Sequence, residues 1–581
     1  MATTAAASPI KRIAVIGAGP TGIACAKFFV AEEAFSTIDI FEQRQNIGGI
    51  WNLSSNERSK HIPVPQNDPD YSTGGKDEDH PLEFESPLYD YLETNIPKSL
   101  MAYSDLAFGQ DLPLFPRHDE VLRYLEQYAE PVSSMVKFET QVIDVQAVSN
   151  ESAVSSSRLD QEWIVSSRNL RTGCLSKDYY QAVVVANGHY TVPHIPSIPG
   201  IKEFNERYPD VIMHSKAYRR PEDYTGKKVL VIGNSASGLD ISAQIATCAQ
   251  QPVYLASRSA SQLAPTGGGP SWRKDVPEIQ EFIADGSARA VRSKDGQVHS
   301  GFDTIIFATG YYYSYPFLSK ASAGTDTSSQ SVSPSESATS LDSVSRTDNN
   351  HDDLEPKQPF RKMVSPFADL VTSGLRTHHV YKHFLHMDYP TLALPVLNLK
   401  IIPFPLGENQ AAVLARLWSG RLDLSTRGTM QDWEQEEEQR LLKANRLRQA
   451  PDTASGDSAT STLPKSGAAK YEGGFHTLVY PEDANQINTL YAWAASARKK
   501  DSLRNEGVGK LGTRWNEKDV WLRGRFPDIK AAYTKHGDKR FGITSLEALG
   551  DEWKEGFARW QRETSKENQA ELFRKAGVES Y

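Results

Sequence analysis

The chain has 581 residues, 39% of them apolar, and a formal net charge of −9. At ~150 residues per domain that length allows about four units, far more than one small core. The acidic balance argues against a nucleic-acid binder, which needs a basic face to neutralise phosphates.

Cys25, Cys174 and Cys248 are scattered and odd in number. That usage fits a reduced intracellular protein better than a disulfide framework. The Ala/Thr-rich start lacks the basic opening of a secretory signal. No stretch approaches the ~20 apolar residues of a membrane span. A cytoplasmic protein is expected, with loose membrane association left open.

In chain order, RIAVIGAGPTG from Arg12 reads as a short β-branched strand ending in glycines, followed by an apolar helix. In Gly17 to Gly22, Gly17 permits a tight turn, Gly19 lets a pyrophosphate approach the backbone, and Gly22 lets the helix pack on the strand. With Pro20 at the helix start, phosphates would sit on the positive helix N-terminus. A second strand over 37–41 leads to Glu42, about 20 residues past the loop, where a carboxylate accepts hydrogen bonds from ribose hydroxyls. An acidic residue disfavours a 2′-phosphate, so this site calls for FAD or NAD. Gly48, Gly49 and Trp51 follow; the glycines would let backbone pass close to a flavin, and Trp51 reads equally well as core.

A helix opens near His118, with Val121, Leu122, Leu125 and Tyr128 on one face. Residues 183–186 read as a strand buried in a parallel sheet. KVLVIGNSASGLDIS then repeats the strand–glycine–helix unit. Gly233, Asn234, Ser235, Ser237 and Gly238 form its loop, the serines able to donate to phosphate oxygens. After the next strand, VYLAS, the expected carboxylate is missing and Arg258 stands near its place. A guanidinium there suits a 2′-phosphate, so the second ligand should be NADPH. TIIFATG, closing at Gly310, is another buried strand.

Residues 320–359 and 450–469 are Ser/Thr/Asp-rich with few apolar residues, a composition that cannot offset ordering entropy; both are expected to be disordered insertions. Residues 429–447 between them read as a charged surface helix. No paired carboxylates, metal cluster or nucleophile–base pair stands out.

With these motifs in view, the chain resembles the flavin-containing monooxygenase family, nearest to its fungal, thiol-oxidising members. GAGPTG, FEQRQNIGGIWN, TNIPKSLMAYSD, GKKVLVIGNSASGLDIS, FATGY and a late PTLALPVLNLKIIPFPLGENQAAVLARLWSGRL carry the likeness. The family fingerprint F-x-G-x-x-x-H-x-x-x-(Y/F/W) is matched in part by YPDVIMHSKAY. His214 and Tyr218 are kept, while Tyr208 and Asp210 replace Phe and Gly. A glycine allows backbone angles that aspartate avoids, so the local loop conformation is in question. His214 taken alone reads as a structural hydrogen-bonding residue.

The resemblance implies FAD and NADPH as cofactors and dioxygen plus a small nucleophile (thiol, sulfide or amine) as reactants, oxygenated through a C4a-hydroperoxyflavin. It implies a catalytic role for Asn95, in TNIPKS, and a flavin contact for Gln410, read as lying at the start of a helix. An α/β protein with two Rossmann-like dinucleotide-binding domains is expected, the NADP domain inserted in the FAD domain. The boundaries are 8–200 and 305–581 for the FAD domain and 201–304 for the NADP domain. A disulfide reductase would need the missing C-x-x-C. An N-hydroxylase of amino-acid side chains and a non-catalytic FAD/NADP-binding regulator are the alternatives. A homodimer is left open.

Overall fold

The computed structural model describes residues 10–54, 62–71, 84–148, 158–259, 261, 269–285, 288–318, 363–364, 367, 369–449 and 473–578. The segments 320–359 and 450–469 lie outside the described residues.

Two sheets organise the chain, the first parallel except for antiparallel pairings at one edge and the second wholly parallel. The first has seven strands in the order Val380–Tyr381, Leu385–His386, Leu392–Ala393, Ala182–Val185, Arg12–Ile16, Thr37–Phe41, Val136–Lys137. Its central strands are short β-branched runs covered on both faces, as parallel sheets require. The register aligns their carboxyl ends: Ile16 lies opposite both Phe41 and Val185. Gly17, Glu42 and Ala186, the next residues, therefore emerge at one edge.

The second sheet has five parallel strands in the order Arg273–Pro277, Val253–Ser257, Val229–Ile232, Thr304–Phe307, Ile212–His214. Here Ile232 lies opposite Ala256 and Phe307, so Gly233, Ser257 and Ala308 share an edge. All five strands fall in sequence between Ala182–Val185 and Leu392–Ala393 of the first sheet. The architecture is α/β with two Rossmann-type units. One boundary moves: the strand Thr304–Phe307 belongs to the second sheet, so this unit runs past residue 304. A β-branched run pairs wherever a partner edge is open, and sequence alone could not tell which sheet TIIF joins.

The chain enters and leaves the second unit through two short antiparallel strands, Val192–Pro193 and Tyr311–Tyr312. The helix Pro20–Glu32 packs against Pro403–Trp418, and Phe29 stacks on Trp418 with centroids 5.3 Å apart. The second of these helices is buried nearly all round, the state of a helix inside a large core. His118–Ala129 buries Val121, Leu125 and Tyr128 as its periodicity predicts, and Tyr124 as well. The charged helix spans Arg427–Gln449. Among the described residues no helix is long and apolar enough to cross a membrane.

Candidate active site

Two glycines of the first loop, Gly17 and Gly22, are fixed by close approaches. Gly17 has φ +105°, donates its N–H to Phe41 O at 2.8 Å, and a Cβ on it would lie 2.5 Å from Ala186 O. A Cβ on Gly22 would lie 1.9 Å from Gly17 O, inside any real contact. Pro20 occupies the first turn of the helix, where its missing N–H costs nothing. Gly48 and Gly49 have φ +109° and +56°, a region that side chains rarely adopt. Their segment folds back on the loop: Gly48 N donates to Ala18 O at 3.0 Å, and a Cβ on Gly49 would stand 3.0 Å from Gly19 Cα. Glu42 is buried, and its two carboxylate oxygens accept from Ala18 N and Arg44 N, both at 2.8 Å. Each oxygen keeps a further lone pair for a ribose hydroxyl. Trp51 is half-buried, its ring edge-on to Phe404 at 6.3 Å.

The second loop repeats this geometry. Gly233 has φ +112°, donates to Ala256 O at 2.9 Å, and a Cβ on it would lie 2.3 Å from Ala308 O. A Cβ on Gly238 would lie 1.8 Å from Gly233 O. Ser235 and Ser237 are exposed at the mouth of the helix Ala236–Ile245. Asn234 Nδ2 donates to Ser259 O at 2.6 Å and ties the loop to the chain beyond the next strand. Arg258 is 84% exposed, with Nε 3.8 Å from Glu278 Oε1. A buried carboxylate ends the second strand of one unit, and an exposed guanidinium follows the corresponding strand of the other. In each loop the first and last glycines are fixed by backbone crowding that a single methyl group would break, the packing that glycine-rich loops of dinucleotide-binding folds require.

Asn95 is half-buried at a bend before the short helix Lys98–Met101. Thr94 Oγ1 donates to Ile96 O at 2.9 Å, bracketing it. Gln410 is not at a helix start. The helix begins at Pro403, and Gln410 is its eighth residue, fully buried, its Oε1 accepting from Val396 N at 2.8 Å. The sequence misleads here because PFPLG looks like a loop, although prolines in a first turn remove no intrahelical bond. Gln410 Nε2, together with both polar atoms of Asn398 on the preceding loop, is buried without a partner among the described residues. Such orphans fit a site completed by a polar cofactor edge.

His214 is structural. It is fully buried, with Nδ1 accepting from Lys216 N at 3.1 Å and Nε2 donating to Gly310 O at 3.0 Å. Burial pushes its pKa down to about 3, so the ring stays neutral. Asp210 adopts φ +66°, so the loop keeps the left-handed turn that a glycine would favour and the aspartate takes the strain. Among the described residues no group of three or more His, Cys, Asp or Glu could hold a metal ion.

Two strand–glycine–helix units, each on a parallel run of strands, define an α/β protein of two Rossmann-type units. The family profile "FMO-like: Flavin-binding monooxygenase-like" matches residues 70–266. A flavin-containing monooxygenase of Arabidopsis thaliana, FMO GS-OX-like 7, is 30% identical over 436 residues, covering 72% of this chain and 76% of that protein. The thiol-specific monooxygenase of Saccharomyces cerevisiae is 29% identical over 422 residues, covering 72% and 79%. Among solved structures, the S-allyl-L-cysteine S-oxygenase of Allium sativum shares the fold with a TM-score of 0.60 at 24% identity, covering 94% of this chain and 99% of that one. The chain belongs to the flavin-containing monooxygenase family. It is a flavin-dependent monooxygenase, and its cofactors are FAD and NADPH.

Proposed function

We propose that this enzyme oxygenates the sulfur of a small thiol or sulfide, using NADPH and dioxygen, with FAD at the first loop and the nicotinamide nucleotide at the second. The observation that carries the reading is the repeated glycine loop with opposite charge at its two ribose positions, Glu42 in one and Arg258 in the other. Sulfur is favoured over nitrogen because the yeast relative, similar over 72% of this chain, is named for thiol specificity. In this reading residues 201–307 form the NADP-binding part, and 8–200 with 308–581 the flavin-binding part.

The chain's own groups then have distinct tasks. Gly17, Gly19, Gly22 and the helix opening at Pro20 receive the FAD pyrophosphate, Glu42 the ribose hydroxyls, and Gly49 and Trp51 flank the rest of the cofactor. Gly233, Ser235, Ser237 and Gly238 receive the second pyrophosphate, and Arg258 the 2′-phosphate. Gln410 offers its free amide N–H to the cofactor's polar edge. Asn95 donates a side-chain N–H at the reacting centre without titrating. Bound flavin supplies the two-electron exchange among nicotinamide, dioxygen and substrate. For a thiol, the thiol, dioxygen, NADPH and one proton give a sulfenic acid, NADP+ and water. Since the cofactors carry the hard chemistry, the protein's part is position and exclusion of water.

Purified enzyme given NADPH and a panel of thiols, sulfides and amines should consume oxygen and form sulfur-oxygenated product. Stimulation by amines alone, or NADPH oxidation indifferent to every substrate, would overturn the sulfur assignment.

A further inference from the structure

The segment leading to Asn95 is gripped from two sides. On one side it is tied to the second unit. Tyr89 OH donates to Asp240 on the helix Ala236–Ile245, Gln244 Nε2 of the same helix donates to Tyr91 O at 3.2 Å, and Asp90 N donates to Arg219 O at 3.0 Å. On the other side it is tied to the C-terminal region. Lys530, on the helix Glu517–Thr534, donates from Nζ to Glu93 Oε2 and to Thr94 O, both at 3.0 Å. Arg540 donates to Glu93 Oε1 from Nε at 3.0 Å and from Nη2 at 2.6 Å. Thr94 N donates to Pro116 O at 2.9 Å, so every polar group of Thr94 is engaged.

This grip is a built junction rather than a surface ion pair. The Lys530 and Glu93 side chains are only 18% and 11% exposed, and the Lys530 ammonium lies over the Phe115 ring at 4.5 Å. Burial opposes the Glu93 carboxylate, but Lys530 and Arg540 outweigh it and hold Glu93 below the usual carboxylate value. Burial lowers the Lys530 pKa, while Glu93 and Asp240 pull it back up. A charge pair this enclosed is costly to break from one side, because the remaining partner is left buried and unpaired.

We infer that Lys530, seconded by Arg540, is a positioning residue for Asn95: it fixes the Thr94–Asn95 peptide plane and thereby the place from which the Asn95 side chain projects. The inference rests on the role given to Asn95 above. It assigns to the C-terminal helices, which lie outside the stretch matched by the family profile, a direct part in coupling NADPH oxidation to oxygenation.

The test compares Lys530→Met, Lys530→Arg, Arg540→Gln, Asn95→Ala and the double variant Lys530→Met/Asn95→Ala. Three quantities are read: flavin reduction by NADPH without oxygen, the share of NADPH lost to hydrogen peroxide, and hydrogen–deuterium exchange of the peptide around Glu93 to Pro97 in flavin-free protein. Lys530→Met should reduce flavin at close to the wild-type rate, release about tenfold more peroxide per product, as expected for one lost charge-assisted hydrogen bond, and exchange faster at that peptide. Lys530→Arg should restore coupling, and the double variant should be no worse than Asn95→Ala, since Lys530 acts through the Asn95 side chain. If Asn95→Ala uncouples while Lys530→Met stays coupled, the inference falls and the reading of Asn95 stands. If Asn95→Ala itself stays coupled, that reading falls and the inference with it. Additive losses in the double variant would also overturn the inference. Should Lys530→Met fail to fold, Arg540→Gln decides: wild-type coupling and exchange there would overturn the inference too.

Discussion

Arg258 stands almost free at the mouth of the second loop, 84% exposed and 3.8 Å from its nearest carboxylate, so a phosphate would find it uncommitted. Arg258→Ala should raise KM for NADPH about tenfold, as expected for one exposed charge-assisted contact, and leave KM for NADH unchanged. Steady-state kinetics with both nucleotides checks this, and equal losses for the two would remove the assignment. Asp210 illustrates a different residue-scale effect. The fingerprint asks for glycine there, the chain supplies aspartate, and the backbone keeps φ +66° regardless. Aspartate tolerates this region better than alanine does, and glycine better than either. Asp210→Ala should cost about 1 kcal/mol of stability while Asp210→Gly costs none. Chemical denaturation would show it, and an alanine variant as stable as the glycine one would contradict the strain argument.

At the level of elements, the two strand–glycine–helix units make the same contact twice, so the same substitution should remove different ligands. Gly17→Ala places a methyl against Ala186 O and should yield protein without flavin. Gly233→Ala places one against Ala308 O and should yield yellow protein whose NADPH affinity has fallen at least about tenfold. Absorbance and nucleotide titration separate the two cases, and loss of the same ligand from both variants would argue against distinct sites. These units were legible because their glycines answer to backbone crowding, which a short window of sequence contains. The helix carrying Gln410 was less so: its first turn holds two prolines, and only the packing of Pro403–Trp418 on Pro20–Glu32 shows that the helix has already begun. The run Thr304–Phe307 reads plainly as a strand, but the sheet it joins does not, because its partners, Val229–Ile232 and Ile212–His214, are a matter of tertiary pairing. The grip of Lys530 and Arg540 on Glu93 was invisible, since more than 400 residues separate the partners along the chain.

Across the whole molecule, buried neutral histidines set a limit on acid tolerance. His214, His383 and His386 are each no more than 3% exposed, and burial lowers their pKa values to about 3, about 3 and about 4. In the unfolded chain each would titrate near 6.5. The folded value is the depressed one, so stability is intact above pH 6.5 and is lost as pH falls toward 4, where only the unfolded chain takes up the protons. Each histidine removes about 1.4 kcal/mol for the first unit below 6.5. Thermal midpoints measured between pH 7.5 and 5 should turn downward near 6.5. A flat profile across that range would show that these rings are protonated in the fold.

The paired strands Val192–Pro193 and Tyr311–Tyr312 bring the two ends of the second unit to neighbouring positions on one antiparallel ladder. Whatever lies between them is a cassette with a single doorway. Such an insert can lengthen, shorten or be exchanged for another of its kind without disturbing the order of the seven-stranded sheet. A transplanted insert would still have to meet the segment leading to Asn95, where Asp240, Gln244 and Arg219 hold Tyr89, Tyr91 and Asp90.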